Sequence, residues 1–354
     1  MAVNQYSKEE LLSRLSHRPA YIVNRNIEVG ESAKPSFSKI QREPQSSAGL
    51  FDTLPLELFQ ATLDHLDLQS LSRLSRVCLR AKVVVESLRA YKDLVRVAGH
   101  IFPTLRNTEL LGFHPVATLH KTLCSDKCVS CGLYGAFLHL LSAERCCYAC
   151  FTCNPGLWVI PLDFASAYFK LTMEQLTTLP TMRHPLEGSN SIIPRPQRTL
   201  TIVRAAKELA IQNQGDAYPM ARTKPATRNA LLYQNAPLRC PRHEITFWAA
   251  CEGMQPDNCL YEGMGTVAFP SLIGNKVENG LWCGGCAHTY GLIITRQLDR
   301  DVLSRLAPPD CNLLQFARDL KYRAMSEAEF LEHAQHCFGA AKAMAQPWVG
   351  FVGI

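Results

Sequence analysis

The chain has 354 residues, 47% of them apolar and 19% charged, with a net charge of +6 at neutral pH. At ~150 residues per domain that is about two domains, and the apolar share is enough for a buried core, which excludes collagen-like, coiled-coil and wholly disordered chains. No apolar run reaches the ~18 residues of a membrane span, and Lys8, Glu9 and Glu10 stand where a signal peptide needs apolar residues; an intracellular, reducing setting in the cytoplasm or nucleus is expected.

Residues 1–49 read as a disordered tail. Ser7-Lys-Glu-Glu10 is a capping box that can start a short helix through Leu11, Leu12 and Leu15. The stretch from Gly30 to Gly49 is mostly Ser, Pro, Lys, Gln and Glu, too polar to offset the entropy of ordering. Residues 50–96 read as three short helices. The first follows Leu54-Pro55 and places Leu58, Phe59, Leu63 and Leu66 near helical spacing. Asp67 can cap the second, with Leu68, Leu71, Leu74 and Cys78 on one stripe, and the third runs through Ala81, Val84, Val85 and Leu88. A unit this small is expected to lean on a neighbour.

Residues 97–165 read as a zinc-knuckle module. The chain has 15 cysteines, an odd number. Random placement would give about 0.6 Cys-x-x-Cys pairs, whereas the sequence holds four: Cys128/Cys131, Cys147/Cys150, Cys150/Cys153 and Cys283/Cys286. Cys128 and Cys131, followed at knuckle spacing by Cys147 and Cys150, fit a four-thiolate zinc site, because each two-residue gap aims two sulfurs at one ion at ~2.3 Å. The segment between the pairs, Gly132 to Leu141, is long enough for a hairpin that brings them together. Four protein ligands leave no open position, so such an ion is a staple and not a catalyst. Cys124, Cys146 and Cys153 are competing donors, and Cys78, Cys251 and Cys311 read as small buried apolar residues.

Residues 166–354 read as a mainly helical, substrate-binding region. Thr172 and Ser326 start capping boxes, and helices are expected over 201–212, 298–306, 312–324 and 326–344. Cys283-Gly-Gly-Cys286 is a further knuckle, its glycines easing a tight turn. His333 and Cys337, one turn apart on the last predicted helix, would complete a second zinc site. Cys240 with His243, Cys251 and Cys259 are alternative donors. From 195 to 242, nine Arg/Lys face Glu208 and Asp216, which suggests a second reading, a zinc-dependent nucleic-acid-binding regulator. Against it, no helix joins a basic face to the ligand spacing of a zinc finger. His139 and His243 read as core or surface histidines. No nucleophile elbow, Walker loop or His-Glu-x-x-His pair is present, so catalysis is not expected. The expected fold class is mainly α: a three-helix unit, a zinc-stapled knuckle and hairpin, and a helical C-terminal region with a second zinc site.

The stretch Leu54-Pro55-Leu56-Glu57-Leu58-Phe59, continued by Leu63, Leu66, Leu68, Leu71, Leu74 and Val77-Cys78, resembles an F-box over residues 50–92. That resemblance implies docking onto a Skp-type adaptor and through it a cullin, with Leu54, Pro55, Leu58, Leu63, Leu71 and Leu74 on or directly beneath the docking face. Glu144-Arg145-Cys146-Cys147, the phrases from Leu179 to Gly188 and Ala205 to Ala210, and Phe330-Leu-Glu-His333 with Cys337 resemble a fungal class of F-box proteins with a cysteine-rich region. The wider resemblance implies a non-catalytic subunit that recruits a protein substrate, not yet identified, to a Skp–cullin–F-box ubiquitin ligase.

Overall fold

Helices dominate the computed structural model, which describes residues 6–23, 46–183, 198–215, 265–308 and 311–345. The N-terminal part departs from the expected tail. Residues Lys8–Leu15 form α1, Ser16–His17 a short strand β1, and Ala20–Val23 a turn of helix α2. The Ser7 capping box is made: the Glu10 amide donates to Ser7 Oγ and the Ser7 amide to Glu10 Oε2. Leu11 and Leu15 are buried beside Cys283, Cys286, Phe330 and Met344, whereas Ile22 is buried among Cys128, Cys147, Cys150 and Trp282. Long-range burial of three apolar side chains therefore orders residues 6–23, and no local signal reveals it.

The next helices are α3 (Leu56–Asp64), α4 (Leu68–Leu74) and α5 (Leu79–Ser87). Asp67 caps α4 as its sequence requires, its Oδ1 accepting from the Ser70 amide at 2.7 Å. The three helices share one core with α6 (Arg89–Ala98), α7 (Ile101–Asn107) and α8 (Val116–Leu123). Residues 97–123 are thus the support that a unit of this size needs, and the cysteine module starts only after them.

Beyond α8, β2 (Phe137–His139) and β3 (Glu144–Cys146) form the hairpin expected between the two cysteine pairs, with Phe137 opposite Cys146. A helix α9 (Tyr148–Cys153) follows, then β4 (Val159–Pro161), α10 (Leu162–Phe169), α11 (Met173–Leu176), β5 (Thr181–Arg183), β6 (Thr199–Ile202) and α12 (Val203–Gln214). Strands β4, β6 and β5 make one antiparallel sheet, and Ile160, Phe169, Leu176, Val203 and Ala206 form a core with α10 to α12.

The region from 265 contains strands that were not expected: β7 (Thr266–Ala268), β8 (Ser271–Ile273), β9 (Lys276–Glu278) and β10 (Trp282–Cys283). β7 adds to β2, placing Ala268 opposite Phe137, and β10 pairs with β1, placing Cys283 opposite Ser16. The chain then closes with α13 (Gly284–Ile294), α14 (Arg300–Leu306), α15 (Leu313–Tyr322), α16 (Glu327–His336) and α17 (Phe338–Ala345). Helices α13 and α17 touch backbone to backbone where Gly285 meets Gly339, a contact closed to any residue with a Cβ. No described helix is long and apolar enough to cross a membrane.

A candidate docking face and two candidate metal centres

Helix α3 and the two residues before it carry two apolar stripes offset by one residue. Phe59 and Leu63 point into the core, at 2% exposure each, while Leu54 and Leu58 stand 41% and 57% exposed. Pro55 is exposed, Leu74 half-buried and Leu71 fully buried. The six leucine and proline positions singled out in the sequence therefore divide. Leu54, Pro55 and Leu58 lie on the surface, with Leu74 at its edge, and Leu63 and Leu71 support it from beneath. Leu50, Phe51, Leu56, Val77 and Leu79 are further exposed apolar side chains here, Leu50 at 87% and Val77 at 74%. The spacing of apolar residues could have found Leu56 and Leu79 as leucines outside the buried stripe. Phe51 stacks on the buried Phe59 ring at 5.0 Å and so fixes the chain just before α3. So many large apolar groups along one short segment form a surface that normally marks a protein contact.

The first cysteine group is assembled from three kinds of backbone. Cys128 and Cys131 flank a turn in which the Gly132 amide donates to the Cys128 carbonyl at 2.9 Å, with Gly132 in the left-handed region at φ 71°. Cys147 ends the β2–β3 hairpin as the N-cap of α9, and Cys150 sits in that helix's first turn. The four sulfurs lie within 4.8 Å of one another, Cys131 Sγ to Cys147 Sγ at 3.6 Å. A tetrahedral ion with bonds of ~2.3 Å needs sulfur–sulfur edges of about 3.8 Å, so the group fits a zinc-sized ion. The Cys128 thiol is held far below its usual range because the thiols of Cys131, Cys147 and Cys150 can hydrogen-bond to its thiolate. Cys146, one residue outside the group, is pushed well up by burial and behaves as an apolar neighbour.

The second group repeats the strand-to-helix device. Cys283 ends β10 as the N-cap of α13, and Cys286 lies in its first turn. The glycines between them are helical, and Gly285 is there for the close approach of α17, not for a tight turn. His333 comes from α16, but Cys337 is not on the same helix. It is the extended residue at the α16–α17 junction, with φ −79° and ψ 118°, so one helix face does not present both donors. Distances of 3.1 Å from Cys286 Sγ to His333 Nε2, 3.8 Å to Cys337 Sγ and 3.9 Å from Cys283 Sγ to Cys337 Sγ again suit a tetrahedral ion. The Cys337 thiol is pushed far down by hydrogen bonds from Cys283 and Cys286, and then by His333. These two are the only such groups among the described residues.

Neighbouring polar groups have structural explanations. His139 is fully buried between the Leu157 carbonyl at 2.9 Å from Nε2 and Ser142 Oγ at 3.1 Å from Nδ1; burial lowers its pKa to about 4, so the ring is neutral. Cys124 contacts His120 Nε2 at 3.6 Å, away from both groups. Arg145 enters the sequence reading only within the phrase Glu144-Arg145-Cys146-Cys147, and its structural role was not anticipated. Its buried guanidinium donates to the carbonyls of Thr122, Gly135, Phe269 and Pro270 and lies over the Phe269 ring, tying the hairpin to the segment after β7. Burial lowers its pKa to about 10, which still leaves it charged at neutral pH. The basic segment 195–242 lies mostly outside the described residues, as do Cys240, His243, Cys251, Cys259 and the side chain of Cys153.

Compared with known families, the chain matches the F-box domain over residues 51–93. No curated protein and no solved structure matches it. The matched span covers α3 to α5 and the first half of α6, together with the exposed apolar face except Leu50.

Proposed function

We propose that the chain is a substrate-recruiting, non-catalytic subunit of a Skp–cullin–F-box ubiquitin ligase. One observation carries the reading. The segment that matches the F-box domain exposes Leu54, Leu58, Val77 and Leu79 to solvent while burying Phe59, Leu63 and Leu71 as their support. An apolar helix face of this kind binds by packing into a partner's groove, and the partner that F-box domains take is a Skp-type adaptor, joined in turn to a cullin. The subunit then works by proximity. Holding a protein substrate beside a ubiquitin-loaded enzyme raises the local concentration of its lysines, and no bond is made or broken on this chain.

In the same reading both Cys/His groups hold structural zinc: Cys128, Cys131, Cys147 and Cys150 in one, and Cys283, Cys286, His333 and Cys337 in the other. Four donors from the chain leave neither ion a position for substrate. The ions fix the hairpin and the C-terminal helices that present the substrate. The test is affinity capture with mass spectrometry, comparing the wild type with a Leu54→Ala/Pro55→Ala variant. Adaptor and cullin recovered with the wild type and depleted with the variant are expected. Their absence from both captures would sink the ligase reading.

A further inference from the structure

An open concavity of about 570 Å³ lies beside the F-box helices, lined by Gln69, Ser72, Arg73 and Arg76 from α4 and its end, Arg106 from α7, and Glu109 in the turn after it. It is built from fixed parts. The Gln69 amide donates to the Leu111 carbonyl at 3.1 Å, and Gly112 lies so close to the Gln69 side chain that a Cβ there would come within 2.6 Å of it. Glu109 is the one carboxylate on the wall, and Arg183 already holds it at 2.9 Å. Arg76 uses its Nε on the Ser72 carbonyl, which leaves its terminal nitrogens for another partner. Among the described residues, Arg73, Arg76 and Arg106 form no ion pair.

Arg73 and Arg106 each stand in the last turn of a helix, where the backbone dipole favours a cation. That explains each of them singly but not why three guanidinium groups line one concavity. Several arginine forks around one hollow are the arrangement that binds a phosphate, whose three outer oxygens carry about −1.5 to −2 of charge. We propose that this concavity binds a phosphomonoester, with Arg73, Arg76 and Arg106 on its oxygens, Ser72 Oγ at its edge, and the remaining volume taken by the carrier. No aromatic side chain lines it, so there is no stacking platform for a nucleic-acid strand. Leu111 is its only large apolar residue, too little to enter a bilayer. The assignment is independent of the ligase reading, because binding is measured on the isolated chain.

The experiment titrates the full chain, supplied with zinc, into a fluorescein-labelled Gly-Ala-phosphoserine-Ala-Gly peptide and its unphosphorylated twin. Inorganic phosphate and glucose 6-phosphate serve as competitors. Saturable binding of the phosphorylated peptide, at least tenfold weaker in Arg73→Glu/Arg106→Glu, is expected, with Arg73→Lys/Arg106→Lys in between because lysine keeps the charge but not the fork. Circular dichroism and zinc content of the variants show that they remain folded. Competition by glucose 6-phosphate at lower concentration than inorganic phosphate would mark a phosphorylated small molecule as the carrier, and weak competition by both would mark a peptide; either supports the site. Equal binding of the two peptides, or a double-glutamate variant that binds like the wild type, would overturn it.

Discussion

Replacing Arg145 by methionine keeps the aliphatic stem of the side chain and removes the buried guanidinium. Four carbonyl oxygens, those of Thr122, Gly135, Phe269 and Pro270, then lose their side-chain donor at once. Each buried acceptor left without a partner costs ~1–3 kcal/mol. The sum overstates the loss, because the substitution also relieves the cost of burying a charge, visible in the lowered pKa of Arg145. Setting that relief against the four lost hydrogen-bonded acceptors leaves an expected loss of ~3–5 kcal/mol. Against total stabilities of about 5–15 kcal/mol it is a large fraction. The assay is urea denaturation at saturating zinc, followed by tryptophan fluorescence, for wild type, Arg145→Met and Arg145→Lys. Lysine should lose more than half as much as methionine, since one ammonium cannot reach carbonyls spread around the edge of the planar guanidinium. A midpoint shift worth under about 1 kcal/mol, at unchanged denaturant slope, would refute the role given to Arg145.

Gly339→Ala puts a Cβ on the Gly285 carbonyl and the Thr289 hydroxyl, so α13 and α17 must part. Overpacking of this kind costs ~1–3 kcal/mol, and zinc per chain should fall from two to one by atomic emission; two ions retained would contradict it. Stripping zinc with a chelator should speed hydrogen exchange at Leu11 to His17, whose side chains and strand lean on the Cys283 group, while α3 to α5 keep their protection. Unchanged exchange in the N-terminal segment would show that it docks without the metal. His139 has a folded pKa of about 4, below the 6.5 of a free imidazole, so its neutral form is favoured by folding and stability is lost as the pH falls from 6.5 toward 4. Nitrogen NMR at pH 5.5 should find the ring neutral with its proton on Nε2, facing the Leu157 carbonyl; a doubly protonated ring would refute this.

What was legible in the sequence was local. The capping boxes at Ser7, Thr172 and Ser326 and the cap at Asp67 form where their patterns stand, because the partners are three residues apart. The Cys-x-x-Cys spacing singled out Cys128/Cys131, Cys147/Cys150 and Cys283/Cys286, each of which lies within a group that could hold a metal ion, because reach across a two-residue gap is a local property of each turn. Contacts between distant segments were not legible. Strands β7 to β10 have two or three residues each, too few for a period-two pattern, and β7 finds β2 across more than a hundred residues of chain. Leu11, Leu15 and Ile22 read as isolated apolar residues in a tail until the surfaces they cover are in place. Cys337 leaves the helical path where α17 must turn to meet α13 at Gly339, a demand set by packing and not by the helical pattern of 326–344.

The account stands on the exposed leucine face. Its most direct test is a binding titration of a purified Skp-type adaptor against the full chain and a Leu58→Asp variant. Leu58 is 57% exposed and supports nothing inside the fold, so circular dichroism and zinc content should not change. A charge buried in an apolar contact should weaken adaptor binding at least tenfold, about 1.4 kcal/mol. No adaptor binding by the wild type, or equal binding by the two proteins, would contradict the account.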